Sequence, residues 1–258
     1  MNSWAGLWNK EWEMMKSWLY ATMIITLLTV TFVSFALSIL GEGSFDLSSI
    51  LGSSLMMCLL IAMCVPIALL LNSLWIEWRR PDIWLHSSQS IYRLIGSKVL
   101  FSLVVGLIGM SVPVILLIVY AVVSEASTVS LSNAVTMIFS FITFYIAAVV
   151  LMFFGLFQAA VFRVIRSYVN RGAFLLWSVV LLASIWLIKT FLESSIYYKI
   201  AHVGLLPISK TDRSFEIGNL YVSQHSETIY MGEIFLVTSF LIAFFFLSSW
   251  LLEKKVRL

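Results

Sequence analysis

Six apolar runs, separated by short polar intervals, set the layout of this chain. They cover residues 18–40, 50–76, 99–123, 134–162, 173–192 and 231–252. A bilayer core is crossed by about 20 apolar helical residues, so each run predicts a membrane-spanning helix. The second and fourth exceed that length, which predicts tilt or a helical extension into the cytoplasm. Ahead of the first run, Trp4, Trp8, Trp12 and Met15 recur at helical spacing, and Asn2, Asn9, Lys10, Glu13 and Lys16 fall mostly elsewhere. This predicts an amphipathic helix over residues 1–17, lying in the headgroup layer on its aromatic anchors.

The polar interval from Glu77 to Lys98 interrupts this pattern between the second and third runs. Its central part predicts a short cytoplasmic helix over about 80–96. Pro81 suits a first helical turn. Asp82 and Lys98 complement the two ends of a helix dipole. Ile83, Trp84, Leu85, Ile91, Leu94 and Ile95 give it apolar surface. Such a helix either docks a soluble partner or lies on lipid; the residues themselves leave both readings open. The longest connection, about 193–230, carries a second short helix by the same reasoning. Ser194 or Ser195 can cap it, Ile196, Ile200 and Val203 form its apolar stripe, and Gly204 and Pro207 end it. Residues 194–206 are expected in the outer leaflet, followed by an irregular stretch from Ser209 to Ser226.

Composition narrows the class. Of 258 residues, 61% are hydrophobic and 11% charged, against about 25% charged in soluble domains. The mean hydropathy is +1.00. The expected fold class is therefore all-α integral membrane, with one domain spanning residues 1–258. The net charge of +3 is too small to point to nucleic acid. Its distribution matters more. Twelve bases lie on the side of the termini and the interval around Arg79 and Arg80; four, Lys189, Lys199, Lys210 and Arg213, lie on the other. The positive-inside rule makes both termini cytoplasmic. Cys58 and Cys64 fall in one apolar run, on different helical faces, and cannot pair without breaking that helix. The first run is too long for a signal-peptide core and lacks a small-residue cleavage site, so it reads as a retained span.

The chemistry is sparse. Every Asp, Glu, Lys and Arg sits in a loop or near a span end, which argues against ion-coupled transport. His86, His202 and His225 are far apart in loops, and no nucleophile–base pair lies at membrane depth. Gly96-Ser97-Lys98 lacks the flanking residues of a phosphate-binding loop. The chain thus reads as a non-enzyme that binds no cofactor. A passive channel is disfavoured by the lack of a polar pore stripe. Inside the spans, Pro66, Asn72, Gly106, Gly109, Pro113 and Gln158 are candidate pathway or kink residues. Ser111 and Tyr145 also lie there. Such residues more often serve helix packing than substrate contact.

Four segments carry a family resemblance. They are Leu7-Trp-Asn-Lys-Glu-Trp-Glu-Met-Met-Lys-Ser17, the interval with Glu77 and Ile91-Tyr-Arg-Leu-Ile-Gly-Ser-Lys98, the outer Leu205-Leu-Pro207, and the ending Phe246-Leu-Ser-Ser-Trp-Leu-Leu-Glu-Lys-Lys-Val-Arg-Leu258. Together with six spans, they make the chain resemble the permease subunit of small bacterial ABC-2-type transporters. The segments match that family's connecting helix, coupling helix, proline after the fifth span, and tail. The family's proline within the coupling segment is replaced here by Ser90 or a neighbour. The resemblance implies a plasma-membrane half-transporter that pairs with a second permease subunit and two ABC ATPase subunits. ATP and Mg would be bound by the ATPases. Coupling contacts would come from Glu77, Arg79, Arg80, Asp82, Trp84, Leu85, Tyr92 and Arg93. Family members export drugs, peptides, lipids, polysaccharide or ions, and small ones often protect against antimicrobial peptides. A scaffold or sensor binding a cytoplasmic regulator through residues 77–98 is the competing expectation.

Overall fold

A computed structural model describes residues 3–40, 57–79, 90–123, 131–169, 171–204, 213–217, 220–224 and 230–256. The elements are α1 (Ser3–Leu40), α2 (Val65–Trp78), α3 (Ile91–Val123), α4 (Leu131–Tyr168), α5 (Ala173–Leu192), α6 (Ser195–Ala201), the strands β1 (Arg213–Ile217) and β2 (Leu220–Gln224), and α7 (Met231–Val256). Among the described residues, five helices are long and apolar enough to cross a membrane: Met57–Trp78, Ile91–Leu116, Phe141–Tyr168, Ala173–Leu192 and Met231–Lys254. The chain is accordingly a helical protein compatible with a multi-pass membrane location. The 18–40 run falls within α1.

Three elements depart from the sequence expectations. First, α1 is one helix of 38 residues, with no break between its amphipathic start and its apolar run. Neither Gly nor Pro occurs near residue 17, and ending a helix there would leave backbone groups unpaired. At 1.5 Å per residue it is about 57 Å long, nearly twice a bilayer core. Second, α3 begins at Ile91, so residues 91–96 open the long helix and do not belong to a separate short one. The Ser90 carbonyl accepts from the N–H groups of Arg93 and Leu94 at 3.0 and 3.2 Å. Third, the stretch expected to be irregular holds an antiparallel hairpin, in which Ile217 faces Leu220 and Arg213 faces Gln224. The sequence between the strands is Gly218-Asn219, residue types favoured in two-residue hairpin connections.

The chain divides into two compact units. The first comprises Met1–Ser73, Ser97–Val149 and Thr211–Ser226. In it, Met15 of α1, Leu69 of α2, and Phe101 and Val105 of α3 form a buried cluster. A second cluster joins Ala62, Met110 of α3 and Ala148 of α4. Pro66 interrupts the helical run that begins at Met57. It cannot donate a backbone hydrogen bond, and a turn at Cys64 precedes α2. The proline ring packs directly on Gly106: a Cβ added there would stand 2.8 Å from Pro66 Cβ.

The second unit comprises Leu74–Gly96, Val150–Lys210 and Glu227–Leu258. Aromatic rings hold α4 to α7, with Phe154 and Phe157 against Phe244 at 6.0 and 5.4 Å. Helix ends also gather. Arg163 near the end of α4 lies 5.7 Å from the Trp78 ring at the end of α2. Trp177 at the start of α5 stands edge-on to Phe162 of α4 at 5.8 Å. Tyr92 at the start of α3 meets Phe246 of α7 at 6.0 Å. The short helix α6 is capped by the Ser194 hydroxyl, which accepts from Tyr197 N–H at 3.2 Å. Gly204 follows with φ of 74°, a left-handed conformation that suits glycine after a helix end.

Candidate functional site

A closed polar ring lies inside the first unit. Lys98 of α3 donates to Glu11 Oε1 at 2.8 Å and to Ser73 Oγ at 2.6 Å. Ser73 of α2 in turn donates to Glu11 Oε2 at 2.9 Å. The Lys98 and Glu11 side chains are 0% and 2% exposed. Removing both charges from water is costly, and the geometry here offsets that cost through mutual attraction and a shared hydroxyl. Beside the ring, Trp8 and Trp12 stand edge-on to Phe101 at 5.5 and 6.4 Å. Asn72 donates to Met15 Sδ at 3.8 Å.

Two findings bear on the sequence expectations. On the face expected to anchor in lipid, Glu11 and Met15 are buried against α2 and α3, while Trp8 and Trp12 touch Phe101 and stay exposed. The signal was available in the sequence: Glu11 shares the helical face of Trp8, Trp12 and Met15, a place where a lipid-lying helix would not put a carboxylate. Lys98, expected as a charge near a helix C-terminus, is instead a buried partner eight residues into α3. The ring ties α1 to the two helices that flank residues 79–90.

The expected coupling residues distribute as follows. Arg80, Asp82, Trp84 and Leu85 lie outside the described residues. In the second unit, Glu77 is buried, 1% exposed, so its carboxylate is not part of the surface. Arg79 is exposed and its guanidinium sits 5.5 Å from the Trp75 ring. Tyr92 is half-buried against Phe246, and Arg93 is exposed. Ile91, Leu94 and Ile95, expected as a contact surface, are buried. Helix α3 already uses that face for internal packing. What residues 77–98 present among the described positions is therefore a basic rim, Arg79 and Arg93.

The candidate pathway residues fall into packing contacts. Pro66 meets Gly106, and Gly109 faces Val65 at 3.8 Å from its would-be Cβ. Pro113 is buried within α3. Gln158 staples α4 to α5: its Nε2 donates to Ser184 Oγ at 2.8 Å, and its backbone carbonyl accepts from Trp177 Nε1 at 3.2 Å. Among the described residues no three His, Cys, Asp or Glu side chains are grouped to hold a metal. His202 stacks on Tyr198 at 3.9 Å and meets the tilted Tyr230 ring at 4.5 Å. Compared with protein-family models, with curated proteins and with solved structures, the chain matches none.

Proposed function

We propose that this chain is the membrane-spanning subunit of an ATP-driven exporter. In this reading α1 supplies the sixth span, a second permease subunit completes the pathway, and two separate ATPase subunits dock on residues 77–98. The observation that carries the reading is the ring of Glu11, Ser73 and Lys98. A chain that works through an external motor needs its docking loop fixed to the helices that must move. The ring fastens α1 to α2 and α3, the two stems of that loop, so a push on residues 79–90 would be delivered to three helices at once. The basic rim of Arg79 and Arg93 would orient an acidic ATPase surface more than it would add affinity. Trp84 is of the aromatic type that dominates such interfaces, and Leu85 beside it would add apolar contact area.

The test is affinity purification in mild detergent, with wild type and a Trp84→Ala/Leu85→Ala double variant. An ABC ATPase should co-purify with wild type and be lost, or remain without supporting transport-linked resistance, in the double variant. Full partner binding and full function in a well-expressed double variant would remove the docking role. Recovery of a regulator with no ATPase would favour the scaffold reading.

A further inference from the structure

A cavity of about 330 Å³ lies within the second unit, walled by α4, α5, α6 and α7. Phe154, Ile188, Phe191, Tyr197 and Phe240 supply most of its character, and Glu233 is the single charged side chain in its wall. Drug-sized ligands occupy pockets from about 300 Å³ upward, largely apolar with a few placed polar groups. Glu233 stands in the first turn of α7, where the helix dipole favours a carboxylate. That accounts for an acid at this turn, but not for its lining an apolar cavity. Among the described residues no base pairs with Glu233; Lys189, on the neighbouring α5, is 3.7 Å from Glu193 instead.

The chemistry of the wall selects an occupant. Glu233 is half-buried at this wall, and a carboxylate placed beside apolar surface gains from a cation as its partner. Aromatic faces attract cations as well. A lipid acyl chain would cover the apolar wall but leave the carboxylate without a partner. We propose that this cavity is a binding site for a small lipophilic cation, with its apolar body among the phenylalanines and its positive centre on Glu233. The site stands whether or not the chain works with an ATPase. In an exporter, it names the cargo class.

The test uses the full chain alone, reconstituted in phosphatidylcholine nanodiscs without any ATPase. The probes are tetraphenylphosphonium and tetraphenylborate, matched in shape and opposite in charge. Saturable phosphonium binding above empty nanodiscs, with none for the borate, is expected. Glu233→Gln should weaken phosphonium binding about tenfold or more, the effect of losing one charge-assisted contact. Val237→Trp, which fills the cavity, should abolish it. Equal binding of the two ions, undiminished binding in Glu233→Gln, or no excess over empty nanodiscs would each overturn the proposal. The ion comparison on wild type needs no variant, so a misfolded variant cannot protect the idea.

Discussion

Glu11 and Lys98 form a buried pair whose single and double replacements should behave differently. Lys98→Met leaves the Glu11 carboxylate buried without its cation, and Glu11→Leu removes the carboxylate that Lys98 holds at 2.8 Å. Each should cost about 3–5 kcal/mol. The double variant removes both charges and should recover much of that loss, since apolar replacements of a buried pair are often close to neutral. Thermal unfolding in detergent across the four proteins measures the coupling; strictly additive losses would show that the pair does not act as a unit. Glycine supplies a second test at this scale. A Cβ on Gly232 would lie 2.0 Å from the Ile200 carbonyl oxygen, whereas one on Gly6 meets nothing within 4 Å. Gly232→Ala should therefore force α7 away from α6 and destabilise the fold by about 1–3 kcal/mol or more. Gly6→Ala should be neutral or stabilising by about 1 kcal/mol, the helix preference of alanine over glycine. Equal melting temperatures for the two variants would contradict the close approach. Of these features, only the place of Glu11 on the aromatic face of α1 was legible in the sequence. The pairing of Glu11 with Lys98 spans 87 residues, and hydropathy carries no information on which distant charges meet.

At the scale of elements, the apolar runs were legible because a bilayer-length helix needs only local composition. The five membrane-length helices fall in runs that hydropathy marks, with ends displaced by several residues. Those ends moved for tertiary reasons: Ile91, Leu94 and Ile95 are buried, which extends α3 backward into the interval expected to hold a separate short helix. The hairpin was missed although its cues were present. Phe215, Ile217, Leu220 and Val222 alternate or flank Gly218-Asn219, a strand-turn-strand pattern. Helix α6 was legible from Ser194, which caps its start, and Gly204, which turns the chain just past its end. Among the described residues its stripe stays exposed, Ile196 at 63% and Val203 at 61%. Apolar residues at helical spacing that stay exposed at a span end belong in lipid. A spin label on a cysteine at Ile196 should thus be accessible to oxygen and protected from a water-soluble nickel chelate. A label on Ser195, about 100° around the same helix from Ile196, should show the reverse. Equal chelate access at both positions would place α6 in water.

For the whole molecule, the open question is which membrane side each end faces. Within the second unit, the end of α2 meets the end of α4 through Trp78 and Arg163. The start of α5 joins them through Trp177. Those contacts put neighbouring basic residues, Arg79, Arg163 and Arg166, at helix ends on one side, with tryptophans between them. Tryptophan marks either membrane interface, and arginine at span ends predicts the cytoplasmic one. The twelve-to-four division of Lys and Arg along the chain predicts the same side for these ends, and a cytoplasmic C-terminus with them. Cysteine accessibility decides it. In a background with Cys58 and Cys64 replaced by alanine, single cysteines at Ser44, Ser127 and Ser214 should react with an impermeant thiol reagent in intact cells. Cysteines at Ser87 and Ser167 should react only after the membrane is opened. The reversed pattern would invert the protein in the bilayer. Ser87 and its neighbours would then face away from any cytoplasmic ATPase, and the proposed coupling through residues 77–98 would fall with the orientation.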